Sequence, residues 1–226
     1  MYKVRCKLVK FEGDAQNFPC HFDYKIGDEI YYDGLQFTGK ICPHIILAMM
    51  PVVYGVHTLG HNYSKNMPFR YRGMDMRDPE MAKYDGVGWR PRKQIAESDL
   101  NKQTTVFPLA SRTEKARGSH FLCPDSRTIA HFSVEPVDLS DSEFCAPYYR
   151  RAIALLEKIE AEPGLKTSEI LGKFTEFERE EISPPLTPVL VEVLLEALAD
   201  MDYIKITEGK AHATGRQPPS RPKIGE

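Results

Sequence analysis

The chain has 226 residues, 42% hydrophobic and 27% charged, with a formal net charge of -2. That length exceeds a single small module and fits one domain with an appendage or two small domains, and the composition excludes wholesale disorder. The near-neutral balance excludes the basic excess of a general nucleic-acid binder, so any anion site has to be local.

Met1 to Lys10 alternates charged and apolar residues without an apolar h-region, so it reads as mature sequence and not as a signal peptide. The longest apolar stretch, Ile45 to Val56, contains Pro51 and falls short of the ~20 residues of a membrane span, so no membrane role is expected. Five cysteines without a secretory signal predict a reducing, cytoplasmic setting and thiol or metal chemistry in place of a disulfide scaffold.

In chain order, the alternation over 3–10 predicts a strand, and Glu29 to Tyr32 a second one entered through the Gly27-Asp28 turn. After Cys42-Pro43, the apolar run from Ile45 suits a buried helix, kinked or broken at Pro51 and ended near Gly55 or Gly60, with His57 and His61 at its far end. Residues 65–93 change character. They carry eight Lys/Arg against four acids, interleaved with Phe69, Tyr71, Tyr84 and Trp89, in a long excursion typical of a lid, binding loop or interface. Thr128 to Val134 alternates again and closes the first domain as a returning strand.

A polar stretch from Pro136 then reads as a linker, and helical spacing follows. Ile153, Leu156 and Ile159 share one helix face, Thr167 is placed to cap a short helix carrying Ile170, Leu171 and Phe174, and Thr187-Pro188 opens a third helix. Tyr203–Thr207 and Lys210–Thr214, joined at Glu208-Gly209, form a hairpin, and the tail from Gly215 is expected to be flexible. The predicted fold class is α+β: a small mixed sheet-plus-helix domain over 1–136 with a long insertion at 65–118, a linker at 137–149, a winged helix-like domain at 150–214 and a tail at 215–226. By its order of helices and hairpin, the 150–214 segment resembles the winged helix-turn-helix superfamily. Residues 151–200 carry five Lys/Arg against eleven Asp/Glu, and Glu192, Glu196 and Asp200 lie on the would-be recognition helix. Phosphate would be repelled, so a protein partner or a homo-oligomer contact is expected there, and duplex DNA is not.

The chemistry-bearing residues are Cys20-His21 before the Gly27-Asp28 turn, Cys42-Pro43-His44 before the first helix, and Cys123-Pro124-Asp125 before the last strand of the domain. With Gly27-Asp28-Glu29 and Gly60, these motifs resemble a small prokaryotic family of shorter proteins. That family carries a cysteine before a GDE-type turn, a CPH-like motif opening a helix and a CPD motif before a terminal strand. The resemblance covers residues 3–64 and 119–136. It implies the cysteine set and the domain limits, and brings no activity with it.

Thiolates favour zinc or iron–sulfur clusters, so Cys20, Cys42 and Cys123, with His44 or His21 as a fourth ligand, form a candidate metal site. The chain has no CxxC pair, and the alternative is that these are small buried residues. A metal-free variant has Cys42 as nucleophile with His44, His57 or His61 as base. Cys6 and Cys145 fall outside the expected site. Arg70, Arg72 and Arg90 would hold the charge of a small anionic substrate and Trp89 its planar face, unless the insertion is an oligomer contact. The expected function is therefore a metal-dependent enzyme or enzyme subunit, lyase- or hydrolase-like, with His44 as ligand or proton shuttle. The alternatives are an assembly subunit with a structural metal that docks to a larger partner, and a regulator that senses metal or ligand.

Overall fold

The computed structural model describes residues 1–61, 63 and 119–218. The chain divides into two compact units, Met1–Gly60 with Ser119–Glu226, and His61–Gly118. The expected insertion at 65–118, with Arg70, Arg72, Trp89 and Arg90, lies outside the described residues. The first unit is mixed α+β, with a five-stranded antiparallel sheet and four helices among the described residues.

The sheet is built on β1 (Tyr2–Phe11), whose side chains at Tyr2, Val4, Cys6 and Leu8 are all buried on one face. Its other face carries Lys3, Arg5 and Lys7, and Arg5 bonds Glu135 and reaches Glu29 at 3.6 Å. With β2 (Glu29–Tyr32), β3 (Phe37–Gly39), β4 (Ser119–Leu122) and β5 (Ala130–Leu139), the strand order is β3-β2-β1-β5-β4. Cys6 stands opposite Ile30 on one side and Val134 on the other, so period-two alternation on three strands builds one apolar face. Helix α1 (Ile46–Leu59), entered through a 3-10 turn at Pro43–Ile45, packs Met49, Val53 and Val56 against β1, β4 and β5. Each such fully buried side chain contributes about 1.5–3 kcal/mol.

The helix runs through Pro51 without a break. The backbone carbonyl that proline cannot satisfy belongs to Leu47, and Leu47 and Pro51 both lie on the solvent side, where water can take that bond. It ends at Gly60, whose φ of 56° favours glycine. A Cβ there would lie 2.4 Å from Oδ2 of Asp200 and 2.6 Å from the Tyr2 ring, so α1 can close against β1 and the C-terminal helix only with glycine at this position.

The strand expected over 128–134 is longer, ending at Leu139, and the next helix, α2 (Ala146–Ala161), starts before Tyr149. The connection is thus 140–145. Pro136 is tolerated inside β5 because it falls at a register shift against Lys3 and Val4, where a ladder bond is already interrupted. Beyond α2 come β6 (Leu165–Lys166), a 3-10 turn at Ile170–Lys173, α3 (Glu176–Glu180), α4 (Pro188–Asp200), and the hairpin β7 (Ile204–Thr207) and β8 (Lys210–Ala213). These strands form a second antiparallel sheet in the order β6-β8-β7.

Thr187 caps α4 as expected, its Oγ1 accepting from the Leu190 N–H at 3.2 Å. Thr167 does not cap a helix. β6 draws it to the hairpin turn, where its backbone N–H and its hydroxyl both donate to the Gly209 carbonyl. Ile170 and Leu171 of the expected short helix lie in the 3-10 turn, whose N-cap Glu169 makes no side-chain bond, and it is α3 that is capped, by Thr175 in a reciprocal box with Glu178. Leu155, Leu156, Ile159, Leu194, Leu198 and Tyr203 fill a core that also takes in Tyr2 and Leu139 from the large sheet. Sheet and helical segment therefore share one apolar interior.

The buried Arg151 guanidinium donates to the carbonyls of Glu178 at 2.7 Å, Pro184 at 2.8 Å, and Ile182, fastening the α3–α4 loop to α2. The start of the expected flexible tail is pinned: Arg216 lies over the Tyr203 ring at 4.8 Å, donates to the Met201 carbonyl at 2.6 Å and pairs with Asp138 at 3.4 Å.

Candidate functional site

The three cysteines of the sequence motifs come from three separate connections. Cys20 lies in the β1–β2 loop, Cys42 caps the 3-10 turn that opens α1, and Cys123 follows β4 directly. The β1–β2 loop is held by backbone bonds from Glu12, Gly13 and Asp14 to the carbonyls of Ile129, Thr128 and Arg127, and by the Thr128 hydroxyl on the Phe18 carbonyl at 2.9 Å. The Cys123 N–H donates to Ala130 at 2.8 Å and the Ile129 N–H to Asp125 at 2.9 Å, closing the turn between β4 and β5. Tyr24 fixes Cys42. Its hydroxyl donates to the Lys40 carbonyl at 2.7 Å and accepts from the Cys42 N–H at 2.9 Å, while its ring stands edge-on to Phe132 at 5.4 Å.

These connections bring the thiols into one electrostatic neighbourhood. The Cys123 thiol is pushed up, first by burial and then by the charges of Cys42, Asp125 and Cys20, against the Asp125 N–H, which donates to its sulfur at 3.5 Å. Tyr24 is pushed up to about 12, chiefly by burial, with Cys42 and Cys20 adding to it. Negative charge gathered in this way around Cys123 is what a bound metal cation would compensate. All three cysteines are half-buried and unpaired by disulfides. Among the described residues, however, no three His, Cys, Asp or Glu side chains stand close enough together to hold a metal ion as they are.

His21 is drawn to the Cys123 turn, where its Nε2 lies 3.0 Å from Nη2 of Arg127. A guanidinium only donates, so that nitrogen is the acceptor of the pair. Arg127 in turn reaches Asp125 at 3.4 Å. His44 is exposed on the 3-10 turn, two residues from Cys42. His57, weighed as a base for Cys42, points elsewhere: it is buried near the far end of α1, with Nδ1 at 2.6 Å from the Tyr2 carbonyl oxygen. Cys6 is a core residue of β1 whose thiol burial pushes up to about 12, consistent with its place outside the site.

Sequence reasoning missed a chain on the outer face of β4 and β5. His131 Nδ1 meets Glu12 Oε1 at 2.7 Å, and its Nε2 meets His120 Nδ1 at 3.1 Å. His120 and His131 lie on adjacent antiparallel strands, an adjacency visible only once β4 is known. Against family models, curated proteins and solved structures, the chain gives no match.

Proposed function

We propose that Cys20, Cys42 and Cys123 hold a thiophilic metal, zinc or an iron–sulfur cluster, and that the protein is a metal-dependent enzyme of lyase or hydrolase type acting on a small anionic substrate. The observation that carries the reading is that three half-buried free cysteines come from three separate connections, with the charges of Cys42 and Cys20 both felt at Cys123. The β1–β2 loop is tied by backbone bonds to the β4–β5 turn and by the Tyr24 hydroxyl to Cys42, and ligation requires the three side chains to turn toward one another. A metal bound there supplies a Lewis acid that polarises an oxygen of substrate or water. The chain's own residues do the rest. The Asp125 N–H steadies the Cys123 sulfur, Tyr24 holds the Cys42 backbone, and exposed His44 serves as fourth ligand or proton carrier. Arg70, Arg72, Trp89 and Arg90 are the proposed contacts to the substrate's charge and ring. The likeness to the small cysteine-motif family belongs to the same proposal.

One observation favours a second reading, a non-catalytic assembly subunit. The order helix, strand, short helix, helix, hairpin, with strands in the order β6-β8-β7, supports a winged helix at the C-terminal end. The outward face of its α4 carries Val189 at 70% exposure and Val193 at 53%, between exposed Glu192 and Glu196. An apolar stripe bordered by acids suits a protein surface and repels nucleic-acid phosphate.

The test is metal and acid-labile sulfide analysis of protein purified without oxygen or affinity-column metals, beside Cys42→Ser. Stoichiometric metal that is lost in the variant supports the site. Iron with sulfide and a visible absorption band, or zinc that takes up an added ligand at an open position, supports the enzyme reading. Zinc closed to added ligands supports the assembly reading. Well-folded protein without metal, or metal retained in full by Cys42→Ser, overturns the site.

A further inference from the structure

A second thiol site lies apart from the three motif cysteines. Cys145 stands at the N-cap of the sixteen-residue helix α2, 1% exposed, and its sulfur is 3.9 Å from Nε2 of His57, which is 2% exposed. The other ring nitrogen, Nδ1, sits 2.6 Å from the Tyr2 carbonyl oxygen. A carbonyl only accepts, so Nδ1 carries the hydrogen and Nε2 turns its lone pair toward the thiol. The Tyr32 ring, edge-on at 5.2 Å, holds the imidazole plane.

The chain passes over the pair at Gly34, whose φ is 98°. A Cβ there would lie 2.6 Å from Cε1 of His57 and 2.9 Å from the Cys145 sulfur. The hydroxyls of Ser140 and Ser142 stand beside the thiol and both donate to the Asp33 carbonyl, that of Ser142 at 2.9 Å. Burial works to raise the Cys145 thiol, but its contacts with His57, Ser140 and Ser142 outweigh it, and the thiol is held below its ordinary value. The N-terminus of α2 favours the same anion. The other titratable groups that sense the sulfur are the Met1 α-amino group, which burial lowers, and Tyr32, which burial and the Cys145 charge raise.

A nucleophile, a base with its lone pair aimed at it, a carbonyl that fixes the base's tautomer and a helix N-terminus make up the arrangement of an activated thiol. The approach to it selects the reagent. The crevice beside Cys145, lined by Leu139, Tyr149, Ala152 and Leu194 together with Met1, Ser140 and Tyr148, has room for about one water molecule, so it admits only a compact reagent. We propose that Cys145 and His57 form a reactive-thiol site for a small neutral peroxide of the hydrogen peroxide class. The Cys145 proton passes to Nε2 of His57, and the thiolate attacks one peroxide oxygen. The S–O bond forms as the O–O bond breaks. The sulfur is oxidised to a sulfenic acid and the other oxygen is reduced to hydroxide, which leaves as water with the proton returned from His57. None of these residues belongs to the proposed metal neighbourhood, so this site stands or falls independently of it.

The test treats the full chain with hydrogen peroxide, traps sulfenic acid with dimedone and maps each cysteine by peptide mass spectrometry, with buried Cys6 as the internal reference. Cys145 is expected to be trapped at least about tenfold faster than Cys6, with a pH midpoint below the ~8.5 of a free thiol. His57→Gln is expected to slow Cys145 about tenfold at neutral pH and to leave Cys6 unchanged. The pH profile of the unsubstituted protein is a separate criterion that does not depend on the variant's folding. Trapping of Cys145 no faster than Cys6, a midpoint at or above 8.5, or an unchanged rate in folded His57→Gln overturns the proposal.

Discussion

Replacing Arg151 with methionine removes a guanidinium that is 3% exposed and that donates to the carbonyls of Glu178, Ile182 and Pro184. A hydrogen bond to a charged group contributes about 1.5–3 kcal/mol, and a buried acceptor left without a donor costs about 1–3 kcal/mol. The three bonds are not additive, because the loop that carries the carbonyls can relax toward water, so the expected loss is about 3–5 kcal/mol. At about 2–4 °C per kcal/mol for a chain of this size, that corresponds to a fall in Tm of about 6–20 °C. Arg151→Lys should fall between the two, since one ammonium cannot reach three divergent carbonyls in a plane. Thermal unfolding followed by circular dichroism, with urea midpoints as a second measure, reads the difference. A loss under about 1 kcal/mol for Arg151→Met would refute the reasoning, because it would mean that water satisfies those carbonyls as well as the guanidinium does.

Two further predictions concern the thiol neighbourhood and the outer face of the sheet. Tyr24→Phe leaves the Cys42 N–H and the Lys40 carbonyl without their shared partner, and should lower stability by about 1–3 kcal/mol in urea unfolding while speeding metal loss to a chelator; equal stability would contradict the role given to the hydroxyl. His120 is held below the ordinary ~6.5 of histidine, first by burial and then by the charges of His131 and Lys10. As pH falls, the unfolded chain therefore takes up this proton first. Stability from this group is full above about 6.5 and declines as pH drops through that value, until the lowered folded pKa is passed. His120→Gln should flatten that part of the stability–pH curve, and an unchanged slope would contradict the assignment.

What the sequence made legible was what local periodicity and end signals encode. The alternation of Tyr2, Val4, Cys6 and Leu8 marks the central strand, Thr187-Pro188 marks the start of α4, and Glu208-Gly209 marks the hairpin turn. Elements decided by partners were hidden. The strands β3 and β6 have three and two residues, too few to express a period. Pro136 signals a strand end until the register shift opposite it is known, and Thr167 signals a cap until β6 draws it to Gly209. Distance in sequence hides sites in the same way. Cys145 stands in a polar connection and His57 eighty-eight residues before it, and only the packing of α1 and α2 around the end of the sheet brings the imidazole to the thiol. The motif cysteines were conspicuous because each sits beside a proline or histidine at the edge of an element. Their shared neighbourhood arises from a β1–β2 loop tied by backbone bonds to the β4–β5 turn and by the Tyr24 hydroxyl to Cys42, which no spacing rule expresses.

The central claim is that Cys20, Cys42 and Cys123 are metal ligands, and X-ray absorption at the edge of the metal carried by anaerobically purified protein tests it most directly. The account predicts a sulfur-dominated first shell, at about 2.3 Å if the metal is zinc, and a metal edge lost or strongly diminished in Cys42→Ser. A first shell of nitrogen and oxygen alone, or a sulfur shell unchanged by that substitution, would contradict it.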